Sequence, residues 1–322
     1  MNKKIVALAV AAAFAIPAAA SAQTTLFGQF KYEVGAIEGA NDDRNAVHST
    51  LGTRLGVRGS EDLGGGMSAI FRFQGSPGGV NSPLGDRANS SYTFNEEAWV
   101  GLSGGFGTVQ LGRSDTAFKK GNTRFRVFPD SLADLTTRPA SFGRAEGVHY
   151  SSPSFNGLTV NASLEPNGSE FDTYWALGVN YVAGPLFVGA AMESAPDTGI
   201  YQGGGKLIVP DNTNWQVGAT YKWNDLTVGV LYQDIDDVAS WVTVPLTYNL
   251  GSVQLRATVQ HRDPEVGDSD LNYAIGAGYN FSSRTEVYAH IWRDGEAGGP
   301  STPGAGGALE ETQLSVGLRH AF

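Results

Sequence analysis

The 322-residue chain has no cysteine. Disulfides therefore cannot hold it together, and thiol catalysis and cysteine-ligated metal sites are excluded. Charge is also scarce: Asp, Glu, Lys and Arg together make up 17% of the residues. What charge there is runs acidic, with 22 Lys and Arg against 32 Asp and Glu, the wrong sign for a nucleic-acid partner. No apolar run reaches the ~20 residues that a membrane-crossing helix needs. The five histidines, His48, His149, His261, His290 and His320, show no H-x-x-x-H spacing, which argues against a dedicated transition-metal site. No glycine loop leads into a helix as a phosphate cradle would require. One G-x-S-x-G match, 101–105, sits between strand patterns rather than between a strand and a helix. A nucleophile elbow is built differently, so a plain turn is the better reading.

The chain opens with Lys3 and Lys4, an apolar run from Ile5 to Ile16, and Ala20-Ser21-Ala22. This is the pattern of a secretory leader cleaved after Ala22. A membrane anchor would need a longer apolar run. Residues 1–22 are expected to be removed, leaving one domain over 23–322. Lys3 and Lys4 leave with the leader, so 20 basic and 32 acidic residues remain, a net charge of −12.

Glycine and aromatics are plentiful, at 43 glycines and 11% aromatic residues. Period-two alternation recurs along the mature chain. In 214–223, Trp215, Val217, Ala219, Tyr221 and Trp223 alternate with Gln216, Gly218, Thr220 and Lys222. Segments 253–262 and 271–281 read the same way, as half-buried strands. Seven tight-turn signals join such strands: DLGGGM (62–67), SGGFGT (103–108), SFNGL (154–158), VAGPL (182–186), KWNDL (222–226), YNLGSV (248–253) and NFSSRT (280–285). Seven short turns between eight up-down pairs predict an all-β fold of sixteen antiparallel strands, with eight longer loops at the other end. Aromatics beside the short turns and strands of about ten residues are the layout of a transmembrane β-barrel in an outer membrane. Closure requires the first strand, near 25–35, to pair with the last, 312–322, because an open edge cannot stand in lipid. Leu314, Val316, Leu318 and Phe322 would then face lipid, and Gln313, Ser315, Gly317 and Arg319 the lumen.

TLFGQFKYEVG (25–35), TRLGVRGSEDLGGGM (53–67), VQLGRSDTAF (109–118) and the terminal Phe322 occur in an order that resembles the trimeric general porins of Gram-negative outer membranes. The resemblance spans the mature chain. It implies a homotrimer among outer-membrane lipids and lipopolysaccharide. It also implies a terminal Phe322 read by the barrel-assembly machinery, and a third external loop folded into the pore. Phe27, Phe30, Phe71, Phe73 and Trp99, read as outward-facing, would be available to pack between protomers.

That third loop corresponds to about 113–147, far longer than a median connection of ~4–6 residues. Its apolar residues, among them Phe118, Phe125 and Phe128, are too many for simple disorder. It carries seven basic residues (Arg113, Lys119, Lys120, Arg124, Arg126, Arg138, Arg144) against four acidic ones (Asp115, Asp130, Asp134, Glu146), a net +3. Other loops are acidic: 165–172, 234–237 and 262–270 each carry −3. On the wall, Lys31, Arg54, Arg58 and Arg72 alternate with apolar residues and should face water, since a lipid-facing cation costs ~2–4 kcal/mol at mid-bilayer. They become the expected pore wall, opposite the loop residues Asp115, Lys119, Lys120, Arg124, Arg126, Asp130 and Asp134. Charged rings of this kind set ion preference. The basic loop and wall point to a modest preference for anions. If the loop turned its aspartates to the opening instead, the sign would reverse, and sequence cannot orient a loop. Glu96 and Glu97 have no clear parity.

The function read from these features is passive diffusion of small hydrophilic solutes and ions, with no chemical step and no cofactor. Asp263, Glu265, Asp268 and Asp270 are a candidate calcium site, although they lack the EF-hand spacing. A solute-specific channel for sugars or organic anions is the near alternative. A sugar slide would need lumen aromatics, and strand parity gives mostly Gln, Thr, Gly and Arg. A barrel enzyme such as a lipase or protease would need clustered catalytic residues, and an adhesin a plugged lumen.

Overall fold

The computed structural model describes residues 23–38, 44–49, 52–77, 92–135, 143–167, 172–194, 201–202, 206–207, 213–294 and 309–322. The leader, 1–22, lies outside the described residues, as do Arg138 and Phe142 of the long loop and most of the acidic segment 165–172 beyond Asn167. The chain forms one closed antiparallel sheet. Its wall strands are β1 (Gln23–Glu38), β2 in two segments (Arg44–Ser49 and Arg54–Gly64), β3 (Met67–Pro77) and β4 (Tyr92–Gly104). β5 (Gly107–Asp115), β6 (Arg144–Ser151), β7 (Leu158–Asn167) and β8 (Asp172–Ala183) follow. Next come β9 (Leu186–Ser194), β10 (Thr213–Trp223), β11 (Leu226–Ile235) and β12 (Ala239–Leu250). The wall ends with β13 (Val253–Pro264), β14 (Asp270–Asn280), β15 (Thr285–Asp294) and β16 (Leu309–Ala321). A two-rung ladder, Tyr201–Gln202 with Lys206–Leu207, stands apart from the wall.

Each strand pairs with its sequence neighbour, and β16 returns to β1 through Gln29↔Ala321 to Ala36↔Leu314. Phe322 seals the seam: its N–H donates to the Gly28 carbonyl (3.0 Å) and its carbonyl accepts from the Gly28 N–H (3.1 Å). Gly28 leaves room for the terminal ring, because a Cβ there would lie 2.7 Å from Phe322 Cζ. No strand edge of the wall is left open, the only arrangement in which sheet hydrogen bonds survive in hydrocarbon.

All seven short turns lie where the sequence places them. Asn156 (φ 52°) and Gly157 (φ 93°) both take the left-handed conformation that a two-residue hairpin demands. The opposite end is less uniform than the expected eight long loops: 236–238 is a three-residue turn and 265–269 spans five residues. Alternation follows the sequence. Trp215, Val217 and Tyr221 are exposed on the outer face while Asn214, Gln216 and Thr220 are buried inside. Beside the short turns, Phe106, Phe155, Trp223, Phe281 and Phe322 point outward as an aromatic girdle.

Ile275, at the middle of β14, is 60% exposed on the outer face. Ile275→Arg should destabilise the barrel by ~2–4 kcal/mol in urea-dependent folding into lipid vesicles. A cost near zero would mean that this face does not contact hydrocarbon.

Candidate functional site: the lumen and its inner segment

β5 extends to Asp115 and β6 begins at Arg144, so the wall takes several residues assigned from sequence to the loop, and the connection runs 116–143. It opens with a short helix, α1 (Ala117–Asn122), capped by the Thr116 hydroxyl, which accepts from the Lys119 N–H (3.2 Å). A single 3₁₀ turn, Thr123–Phe125, follows.

Residues 116–135 lie against the inner face of the wall. The Ala117 N–H donates to Ser163 Oγ (2.9 Å) and Gln216 Nε2 donates to the Phe118 carbonyl. Phe125 packs on Phe187 and Leu231. Phe128, Ala133 and Leu135 form a cluster with Ala274 and Trp292. Gln260 Nε2 donates to the Leu135 carbonyl (3.1 Å). The wall leaves space for these rings: a Cβ at Gly218 would sit 2.6 Å from Phe125, and one at Gly276 3.0 Å from Phe128. Small residues on the lumen face thus act as seats for the aromatics of the inner segment.

At the bend of the segment the charges converge. Lys31 Nζ donates to the carbonyls of Pro129 (2.9 Å) and Asp130 (2.8 Å). Arg54 pairs with Asp130. Arg126 bridges Asp130 (3.0 Å) and Asp134, whose carboxylate also accepts from the Asp130 N–H (3.1 Å). The Leu132 N–H donates to buried Glu33 (3.3 Å). Five of the expected site residues, Lys31, Arg54, Arg126, Asp130 and Asp134, therefore form one network. Burial pushes the Asp130 carboxyl up, but Arg126, Arg54 and Lys31 more than reverse this and hold it well below the ordinary carboxylate range.

The other expected residues lie elsewhere in the lumen. Asp115 accepts from Lys119 (2.7 Å) and lies 3.1 Å from Arg144 Nε. Lys120 Nζ donates to Ser151 Oγ (3.3 Å), and the Arg124 guanidinium lies over Phe187 (5.0 Å). Arg58 and Arg72 both lie over the Phe27 ring, at 5.1 and 4.9 Å.

Phe27 corrects an expectation. It shares the lumen parity of Gln29, Lys31 and Glu33, so it is not available to a neighbouring protomer. Trp99 also turns inward, donating from Nε1 to Glu97 Oε2 (2.9 Å). With Tyr288 and Trp292, the lumen holds more aromatics than parity counting predicted.

The sequence left Glu96 and Glu97 unassigned, and the reason is a bulge: Gln74 pairs with Glu97 but Ser76 pairs with Thr93. Both carboxylates reach lumen cations, Glu96 at 3.8 Å from Arg54 and from Arg144, and Glu97 at 3.4 Å from Arg72. A further group escaped the sequence reading, in which Arg256 and Arg319 share Glu286 on β13, β15 and β16. Strand parity could have found it.

Ser103, the serine of the G-x-S-x-G match, ends β4 beside a tight turn and bonds Thr108 (3.2 Å). Asp270 pairs with Arg262 (3.2 Å), and among the described residues no group of three or more His, Asp or Glu could hold a metal ion.

Because the folded Asp130 carboxyl ionises at lower pH than in an unfolded chain, its stabilisation is fully present above ~pH 5 and is lost progressively as pH falls from the ordinary carboxylate range toward the lowered value. The inner segment should resist limited proteolysis equally at neutral pH and near ~pH 5, and loosen progressively in stronger acid. Loosening already at mildly acidic pH would show that Asp130 does not hold it.

Comparison with known proteins agrees with this architecture. The family profile described as Gram-negative porin matches residues 7–296. The major outer membrane protein P.IB of Neisseria meningitidis serogroup B is 30% identical over a 366-residue alignment that covers all of both chains. Among solved structures, the anion-selective porin from Comamonas acidovorans superposes with a TM-score of 0.77 at 25% identity, covering 94% of this chain and 100% of that one. A triple mutant of the Rhodopseudomonas blastica porin gives a TM-score of 0.68 at 21% identity, covering 93% and 100%. A closed sixteen-stranded wall, an outer apolar band, a polar lumen and a family match across nearly the whole sequence lead to one conclusion: the chain belongs to the Gram-negative porin family and forms a diffusion channel of the outer membrane.

Proposed function

We propose that the lumen is narrowest between the inner segment and the wall cations Lys31, Arg54, Arg58 and Arg72, and that this opening favours small anions modestly. The observation that carries the reading is a surplus of positive charge. Asp115, Asp130, Asp134, Glu96 and Glu97 each lie within 4.0 Å of Lys or Arg. Arg58, Lys120 and Arg124 have no carboxylate partner among the described residues. The aspartates that could have reversed the sign are turned to Arg126 and Arg54 instead of standing alone. Acidic residues beyond the long-loop end lie farther away, and past a Debye length of ~8 Å their field is largely screened. The Comamonas acidovorans porin, described as anion-selective, supports the same sign. Permeation is passive, with no chemical step.

Under a KCl gradient in a planar bilayer, the zero-current potential should carry the sign of anion preference. Arg54→Glu with Arg72→Glu should move it toward cations. Cation preference in the wild type, or no shift in the double variant, would overturn the reading.

We also propose that the channel is a homotrimer and that Phe322 serves the assembly machinery. Family resemblance supports the trimer, as does an outward aromatic group on β1, β3 and β4. Phe30 is exposed there, and Phe73 lies 6.1 Å from Phe71 and 5.8 Å from Phe94, centroid to centroid. Native mass spectrometry in mild detergent should give three chains per particle, and a stable monomer would contradict it. Deleting Phe322 removes one exposed ring and two seam hydrogen bonds. The ring is worth at most ~1.5–3 kcal/mol of burial, which a closed barrel should survive. Refolding in detergent should persist while surface yield in cells collapses. Equal losses in both would leave only a structural role.

A further inference from the structure

Phe27 is an aromatic side chain on the water side of the wall, half-buried. The strand register shows what space it fills. Phe27 of β1 pairs with Gly56 of β2, and Gly56 with Gln74 of β3. In the adjoining row Thr25 pairs with Arg58, and Arg58 with Arg72. Gly56 has no side chain, so the ring leans across β2 into that gap; a Cβ at Gly56 would lie 2.6 Å from Phe27 Cζ. From there one ring reaches two guanidiniums, 5.1 Å from Arg58 and 4.9 Å from Arg72.

We infer that Phe27 is a positioning residue for ion preference: it holds Arg58, and with it Arg72, beside the permeation path without cancelling their charge. Three observations combine. First, Arg58 and Arg72 stand directly opposite each other on one face, where like charges repel. A ring that attracts both offsets this repulsion. Second, Arg72 also has Gln74 and Glu97 as partners, whereas Arg58 is exposed and has no carboxylate partner among the described residues. What holds Arg58 is the Phe27 face. Third, the arrangement recurs across the lumen. Arg124, also without a carboxylate partner among the described residues, lies over Phe187 of β9 at 5.0 Å.

A carboxylate orients an arginine but neutralises it, so the pair adds little to the potential that a passing ion meets. An aromatic face orients the guanidinium through its quadrupole and leaves the full charge in place. At an exposed site such a contact favours the held position by roughly two- to fivefold. Released from the ring, Arg58 can turn to lumen carboxylates such as Glu97, which already lies 3.4 Å from Arg72 Nε. The inference rests on the anion-preferring reading and adds to it a neutral residue through which the cations act.

The test is the zero-current potential of the full mature protein in a planar bilayer under a KCl gradient. Phe27→Leu keeps an apolar side chain over Gly56 and every formal charge, yet it should lower the chloride-to-potassium permeability ratio roughly twofold. Phe27→Tyr, which restores a ring face, should recover the wild-type ratio. In an Arg58→Gln background, Phe27→Leu should shift the ratio much less, because the group it acts through is gone. Should Phe27→Leu fail to fold, Phe27→Met fills the same gap with an unbranched chain and carries the same expectation. An unchanged ratio in Phe27→Leu would overturn the inference. So would a shift of the same size in the Arg58→Gln background, which would mean that the smaller side chain merely widens the lumen. A cation-preferring wild type whose ratio still falls in Phe27→Leu and recovers in Phe27→Tyr would contradict the selectivity reading alone, so the two fail separately.

Discussion

Everything in this protein follows from one constraint: in hydrocarbon, a backbone N–H or C=O without a partner costs several kcal/mol. A strand that crosses lipid must be paired on both sides, so the sheet must close. Closure fixes the pairing of β16 with β1 and the seating of Phe322 on Gly28. It also divides the residues into an outer apolar set and a largely polar inner set. The inner set is what makes a channel possible, because sixteen strands enclose more space than side chains alone can fill.

That space is then narrowed by the chain itself. The inner segment has no lipid contact and little secondary structure of its own, so its position rests on what the wall offers it. The wall offers three things: shallow places where a glycine or alanine makes room for a ring, hydroxyl and side-chain amide partners such as Ser163, Gln216 and Gln260, and the cations Lys31 and Arg54 at the bend. Much of the glycine in the lumen is explained by the first of these rather than by backbone freedom. The same two cations that hold the bend also line the lumen beside it, so docking and the proposed ion preference draw on shared residues.

Strand number, turn positions and the inward direction of Lys31, Arg54, Arg58 and Arg72 were legible in the sequence, because alternation and turn chemistry are local signals. Three features were not. Glu96 sits in a bulge and Glu97 at its edge, where counting by two fails. Phe27 and Trp99 face water although aromatics in such walls usually face lipid; guanidiniums over the Phe27 face and a carboxylate on the Trp99 N–H make their inward positions favourable. The orientation of Asp130 and Asp134 depends on the path of the whole segment across strands distant in sequence, which no local pattern records. The partnership of Arg256 and Arg319 around Glu286 was written in strand parity, but the charges of the first three strands dominate a sequence reading that starts from the family's long loop.

The central claim is that the inner segment is docked on the wall whenever the channel conducts. The chain lacks cysteine, so an introduced pair would be unique. Gly121 of α1 faces Ala191 of β9, with an ideal Cβ at Gly121 only 3.2 Å from the Ala191 Cβ, close to the ~3.5–4.5 Å of a disulfide. In Gly121→Cys with Ala191→Cys, the docked segment predicts ready oxidation to an intrachain disulfide and the same single-channel conductance oxidised as reduced. Failure to cross-link under oxidising conditions, or a conductance that changes when the bond forms, would contradict it.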